Sequence, residues 1–177
     1  MMDENKIDMH SEIPGFMLPK KLAGTAEGEK VAGILQSNLK PVKPGSGYYL
    51  PLFQFTLHIK EALNSARRRG SLIRGMEDAE KMLDAERAGI LSVDMKTGHE
   101  RVERISRLIV AANDGSDRFY RLIKRVAGRN RPRVMAIELD MTSYELGEAI
   151  FGPGKRALFL LVNHKDAVIN LLKSLII

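Results

Sequence analysis

Residues Thr142 to Val162 constrain the fold of this chain more than any other stretch, because a capped helix, a glycine stop, a basic loop and a wholly apolar strand follow in direct succession. Thr142 and Glu145 stand at capping-box spacing, so each side chain can accept from the other residue's backbone amide. Gly152 can close the helix, and Ala157 to Val162 carries too few polar residues for an exposed strand. The loop between them, with Lys155 and Arg156, is therefore expected at the rim of a buried sheet. A helix and strand in this order fit any α/β domain, so the neighbouring segments decide the architecture.

From Phe55 onward, strand-like and helix-like segments alternate. Phe55, Ile59, Ala62, Leu63 and Ala66 share one helical face, and Arg67-Arg-Arg-Gly70 ends that run. Ser71 to Arg74 fits a short strand. Gly75 precedes a helix with Met76, Ala79, Met82 and Leu83 as its apolar stripe, and Glu77 and Asp78 lie at its positive end. Arg107 to Ala112 and Arg133 to Leu139 read as strands, flanking a helix that turns Phe119, Leu122, Ile123 and Val126 inward. A closing helix over Asp166 to Leu175 has Ala167, Val168, Leu171, Leu172 and Leu175 on one side. This alternation predicts an α/β class, a three-layer α/β/α sandwich around a small sheet of about four strands. Periodicity does not say which strands are parallel.

Two segments stand outside the pattern. Residues 1–47 hold four prolines, six lysines and six acids without a sustained apolar period, and are expected to form a poorly ordered tail ahead of a domain over 48–177. Residues 88–103 form an insertion in which Ile90 to Met95 and His99 to Ile105 could pair as a hairpin across Lys96-Thr97-Gly98.

Composition narrows the function classes. The chain has no cysteine and four scattered histidines, which excludes disulfides and thiolate metal sites and gives no ligand spacing, so no cofactor or metal is expected. No run approaches the ~18 apolar residues of a membrane span, so a cytoplasmic protein with no membrane partner is expected. No serine lies in an elbow-type signature, and Gly152-Pro-Gly154 lacks the Lys-Ser/Thr sequel of a phosphate loop, so neither an enzyme nor a small-molecule substrate is expected. The net charge of +6 points to a polyanionic partner. Between Arg101 and Arg133 there are ten Lys/Arg against three acids, which leaves the remainder about neutral. Such a basic face either meets phosphate, with Arg121 and Arg125 as candidates, or is merely solvated.

Three segments in order resemble the L-seven-Ae family of RNA-binding proteins. Arg69-Gly-Ser-Leu-Ile-Arg-Gly-Met-Glu-Asp-Ala-Glu-Lys81 is similar to its "aGklvsGeeaV" and "kGxNExxK" patterns, Leu108-Ile-Val-Ala-Ala-Asn-Asp114 to "LVviAeD", and Tyr144 to Gly152 to "eeLGeaiG". The resemblance spans residues 56–175 and implies an α-β-α-β-α-β-α-β-α order. Lys43-Pro-Gly-Ser-Gly-Tyr-Tyr49 also resembles the "PGRGxxV" segment of the YlxR family, a bacterial module, as a degenerate remnant.

The L-seven-Ae resemblance implies recognition of the sheared G·A pairs of a kink-turn by a glycine and the helix end after it. Matched by position, Gly75 takes the glycine's place, Arg74 the preceding Lys, Glu77 the Asn, Asp78 the Glu and Lys81 the Lys. Arg156, with Lys155 beside it, falls in the second contact loop. Glu77 departs from the pattern, since a carboxylate only accepts hydrogen bonds where the amide also donates. Ser143 stands where many members have Lys. Glu77 and Lys81 also fit a plain i,i+4 surface pair. The implied function is non-enzymatic binding of structured RNA, a kink-turn or a ribosomal element. The alternative is a protein-interaction or ribosome-assembly module on the same fold.

Overall fold

A computed structural model describes residues 16–98 and 103–177. Thr25 caps the first helix of the described residues, α1 (Ala26–Ser37), which leads into two strands, β1 (Leu39–Pro41) and β2 (Tyr49–Phe53). Then follow α2 (Leu57–Arg68), β3 (Leu72–Ile73), α3 (Met76–Thr97), β4 (Arg107–Ala111), α4 (Asp117–Arg129), β5 (Val134–Leu139), α5 (Ser143–Phe151), β6 (Phe159–Val162) and α6 (Lys165–Ser174). From α2 onward this is the alternating order expected from the sequence.

The described strands form one sheet in the order β1-β2-β5-β4-β6-β3. β2 and β4 run parallel to β5, whereas β6 is antiparallel to β4 and to β3, and β1 is antiparallel to β2. Side chains alternate between the two faces of the strands. Leu108, Val110, Ile137, Leu139, Leu160 and Val162 pack with α1, α2, α5 and α6. Ile109, Ala111, Val134, Ala136, Phe159 and Leu161 pack with α3 and α4. The molecule is thus an α/β/α sandwich.

The sheet has six strands rather than about four; of the two additional ones, β1 comes from residues 1–47, expected to be a tail, and β2 from the first residues of the expected domain. Leu18, Leu22, Val31 and Leu35 are buried in the core shared with α2 and α6. Val31 and Leu35 are a single i,i+4 pair in a helix of otherwise mixed character, too short a run to register as a period. Gly28 holds this helix against the preceding turn, since a Cβ there would stand 1.9 Å from the Leu22 carbonyl oxygen.

The expected hairpin is also replaced. Residues 90–95 continue α3, which runs as one helix to Thr97 and stops at Gly98 with φ 65°. No apolar side chain of its last two turns is buried, and Leu91, Val93 and Met95 are exposed. Alternation of apolar residues in this stretch therefore reflects a protruding helix rather than a strand. His99 and Arg101 lie outside the described residues.

The parallel strands fix where a site can lie. β2, β3, β4 and β5 all end on one edge of the sheet, so α2, α3, α4 and α5 all begin there, and the loop entering β6 returns to the same rim.

Candidate nucleic-acid interface

The rim is organised around the first turn of α5. The capping box is formed: the Glu145 amide donates to Thr142 Oγ1 at 3.2 Å, and the Thr142 amide donates to the Glu145 carboxylate at 2.7 Å. Ser143, buried at the next position, donates through its amide and its hydroxyl to the two Asp114 carboxylate oxygens, each at 2.8 Å. Arg156 Nε then donates to Ser143 Oγ at 2.8 Å, and the guanidinium lies 5.0 Å from the Tyr144 ring centre. The loop sits directly on Gly147, where a Cβ would fall 2.4 Å from the Lys155 carbonyl oxygen. The glycine of the helix motif is thus a packing requirement.

The β3–α3 turn joins this assembly. Arg74 Nε donates to the Arg156 carbonyl at 3.0 Å, bringing together residues 82 positions apart in sequence. Arg74 lies over the Phe151 ring at 4.8 Å and Arg67 over the same ring at 5.2 Å. Arg67, Arg74 and Arg156, with exposed Lys155 beside them, form one basic corner at the rim. The sequence pointed to Arg74, Lys155 and Arg156. Arg67, which read only as a helix end, enters through its place on the ring, a contact across sequence that periodicity does not encode.

Gly75 occupies the N-cap of α3 in an extended conformation and offers no side-chain cap. The other five described helices are capped by Thr25, Thr56, Ser116, Thr142 and His164, so α3 alone among them presents first-turn amides uncovered by a cap side chain. No atom lies within 4 Å of where a Gly75 Cβ would be, so this turn faces open space. Glu77 and Asp78 are exposed in the same turn, and Glu77 pairs with Lys81 at 3.4 Å, the i,i+4 surface contact that their spacing allows.

The long basic stretch divides. Arg125 and Arg129 both donate to Glu80, at 2.8 and 3.0 Å. Arg107 donates to Glu86 at 3.1 Å, and nearly buried Arg133 hydrogen-bonds to the same carboxylate. The acidic face of α3 is thus answered by the basic residues of α4 and its neighbours, and Arg125 serves an interhelical bridge. Arg121 lies elsewhere, on the side of α4 facing the β1–β2 connection.

Two further features escaped the sequence. Asp140 accepts from Gln54 at 2.8 Å and from Asn113 at 3.0 Å, which ties three strand ends together and holds its carboxyl below the ordinary aspartate value. Glu138 points beneath α4, where burial pushes its carboxyl up to about 7, and one of its oxygens has no hydrogen-bond partner. Beside it the Tyr120 phenol, which donates to the Ala112 carbonyl at 3.2 Å, is pushed far above its usual value by burial and by the Glu138 charge.

Among the described residues no helix is long and apolar enough to cross a membrane. No protein-family model matches the chain, and no curated protein matches it by sequence. Among the solved structures that share part of its course are two of different origin. One is a protein of unknown function from Bacillus halodurans, 14% identical over 68% of this chain and 98% of that one, with a TM-score of 0.48. The other is a 15.5kD RNA binding protein of Giardia lamblia, 13% identical over 68% of this chain and 82% of its own length, with a TM-score of 0.44.

Proposed function

We propose that this chain is a non-enzymatic RNA-binding protein that holds structured RNA, of the kink-turn or ribosomal kind, against the rim where α3 begins. The observation that carries the reading is the junction of Arg74 with the Arg156 loop beside the uncapped turn at Gly75. Free amides at a helix N-terminus donate to phosphate oxygens, and the absence of a Cβ lets the backbone approach them. Arg67, Arg74, Lys155 and Arg156 supply the flanking charge, and the ring contacts hold three of these side chains in place before any ligand arrives.

Two substitutions test it. Gly75→Ala meets open space in the free protein, so stability should change by less than about 1 kcal/mol, whereas RNA affinity should fall if backbone and RNA come into contact there. Arg156→Ala should weaken RNA binding by ten-fold or more, the scale of a lost charge-assisted hydrogen bond at about 1.5 to 3 kcal/mol. Full affinity in both variants would place RNA elsewhere.

One observation favours a second reading. Glu77 and Asp78 put two carboxylates in the same open turn, and an acidic helix suits a protein surface better than phosphate. An assembly module would use this rim without RNA, and failure of both substitutions to alter an RNA affinity would support it.

A further inference from the structure

On the sheet edge opposite the rim, β2 and β5 separate. Their pairing comprises Leu52↔Glu138 and Phe53↔Leu139. The same register continued toward the strand starts would set Leu50 opposite Ala136 and Tyr49 opposite Met135, but these positions are unpaired and line a slot of about 430 Å³ instead. Its walls are apolar and come from both layers. Leu50, Val134 and Ala136 belong to the core beneath α3 and α4, whereas Met135 and Ile105 belong to the core on the other face of the sheet. Arg131 precedes β5, and the Ile105 amide, just ahead of β4, donates to the Met17 carbonyl at 2.8 Å, so Arg131 and Met17 border the slot at the strand starts. The slot is thus a wedge, closed where β2 and β5 pair and open at the other end.

The size and lining restrict the ligand. The volume falls within the roughly 300 to 1,000 Å³ of small-ligand sites. A peptide would bring backbone polar groups into a wall whose side chains offer them no partner, and leaving such groups unpaired is costly. An unbranched hydrocarbon chain fits between two separating strands without that cost. Arg131 is the one charged residue among the described lining residues, is exposed, and its side chain has no hydrogen bond or ion pair to a described residue. Its planar guanidinium matches the two oxygens of a carboxylate. We propose that this slot binds an unbranched aliphatic carboxylate, of the fatty-acid class, with its chain between β2 and β5 and its carboxylate on Arg131. The assignment stands independently of RNA binding at the rim.

The test is calorimetry on the full chain with octanoate, decanoate and 1-octanol, each below the concentration at which it aggregates. A buried methylene contributes about four-fold in affinity, so decanoate should bind about fifteen-fold more tightly than octanoate. Octanoate should bind at least ten-fold more tightly than octanol, the scale of a charge-assisted hydrogen bond. Arg131→Gln should remove that advantage and leave octanol unchanged. Ala127→Leu, at a half-buried helix position that lines the slot, should fill part of it and weaken both acids by ten-fold or more. Arg74→Ala and Arg156→Ala should alter none of these affinities, which separates the slot from the rim. The proposal is overturned if neither acid binds, or if the affinity for decanoate survives Arg131→Gln or Ala127→Leu in protein that still unfolds cooperatively. Equal binding of octanol and octanoate overturns it as well, and would assign the slot to a neutral apolar group such as a side chain of a partner protein. Arg131 is exposed and bears no core contact, so Arg131→Gln decides the matter if the leucine variant does not fold.

Discussion

Gly147 shows how a single residue couples packing to the rim. Its hydrogen faces the backbone of Lys155 and Arg156 at distances no Cβ tolerates, so the loop can approach α5 only because a side chain is missing there. Gly147→Ala should force the loop outward, costing about 1 to 3 kcal/mol in chemical denaturation, and should weaken any ligand that depends on Arg156. Glu138 makes a different demand. A carboxyl whose folded value is raised from 4.5 to about 7 binds its proton more tightly in the folded than in the unfolded chain. Stability is therefore greatest below pH 4.5 as far as this group is concerned, falls as pH rises toward 7, and is level above it. The loss should reach about 3 kcal/mol. Urea titrations of Glu138→Gln should lack that decline, and an unchanged pH profile would show that Glu138 is not the group responsible.

At the level of elements, α3 and α4 are joined by charge above their apolar contacts. Glu86 receives both Arg107 and Arg133, and the latter is 7% exposed, so removing the carboxylate strands a buried guanidinium. Glu86→Gln should cost about 3 kcal/mol, while Glu80→Gln, which meets the more exposed Arg125 and Arg129, should cost no more than about 1 kcal/mol. Comparative denaturation of the two variants measures the difference. The sequence displayed both halves of this arrangement, a basic stretch and an acidic helix, but a linear reading does not show that they face each other. The capping box at Thr142, the apolar faces of α2, α4 and α6, and the glycine stop after α5 were legible because each is a local pattern. Helix α1 and strands β1 and β2 were not, since Leu18, Leu22, Val31 and Leu35 become a surface only when the sheet edge is there to receive them. A chain beginning near residue 48 should accordingly lose the cooperative thermal transition of the full chain. A cooperative transition at nearly the same temperature would mean that this segment adds little to the core.

Over the whole molecule, the parallel strands send four helix starts and the β6 entry loop to one rim, and this brings Arg74 to Arg156. The residues placed there by motif resemblance include Lys81, whose partner is Glu77. The basic residues placed by composition went elsewhere, with Arg125 in an interhelical bridge and Arg121 facing the β1–β2 connection. Motifs located the rim because they fix short backbone geometries, whereas net charge fixes no position. If phosphate is bound at the rim, the salt dependence of binding should flatten by about 0.7 to 0.9 in log–log slope for each contacting cation removed.

The most direct measurement is binding of the full chain to a kink-turn RNA and to the same stem with its sheared G·A pairs replaced by Watson–Crick pairs, compared by electrophoretic shift at one salt concentration. Recognition through the α3 turn predicts that the kink-turn binds at least ten-fold more tightly, and that Glu77→Asn widens the preference by restoring a side chain that both donates and accepts. Equal affinity for the two RNAs, unaltered by Glu77→Asn, would contradict the account.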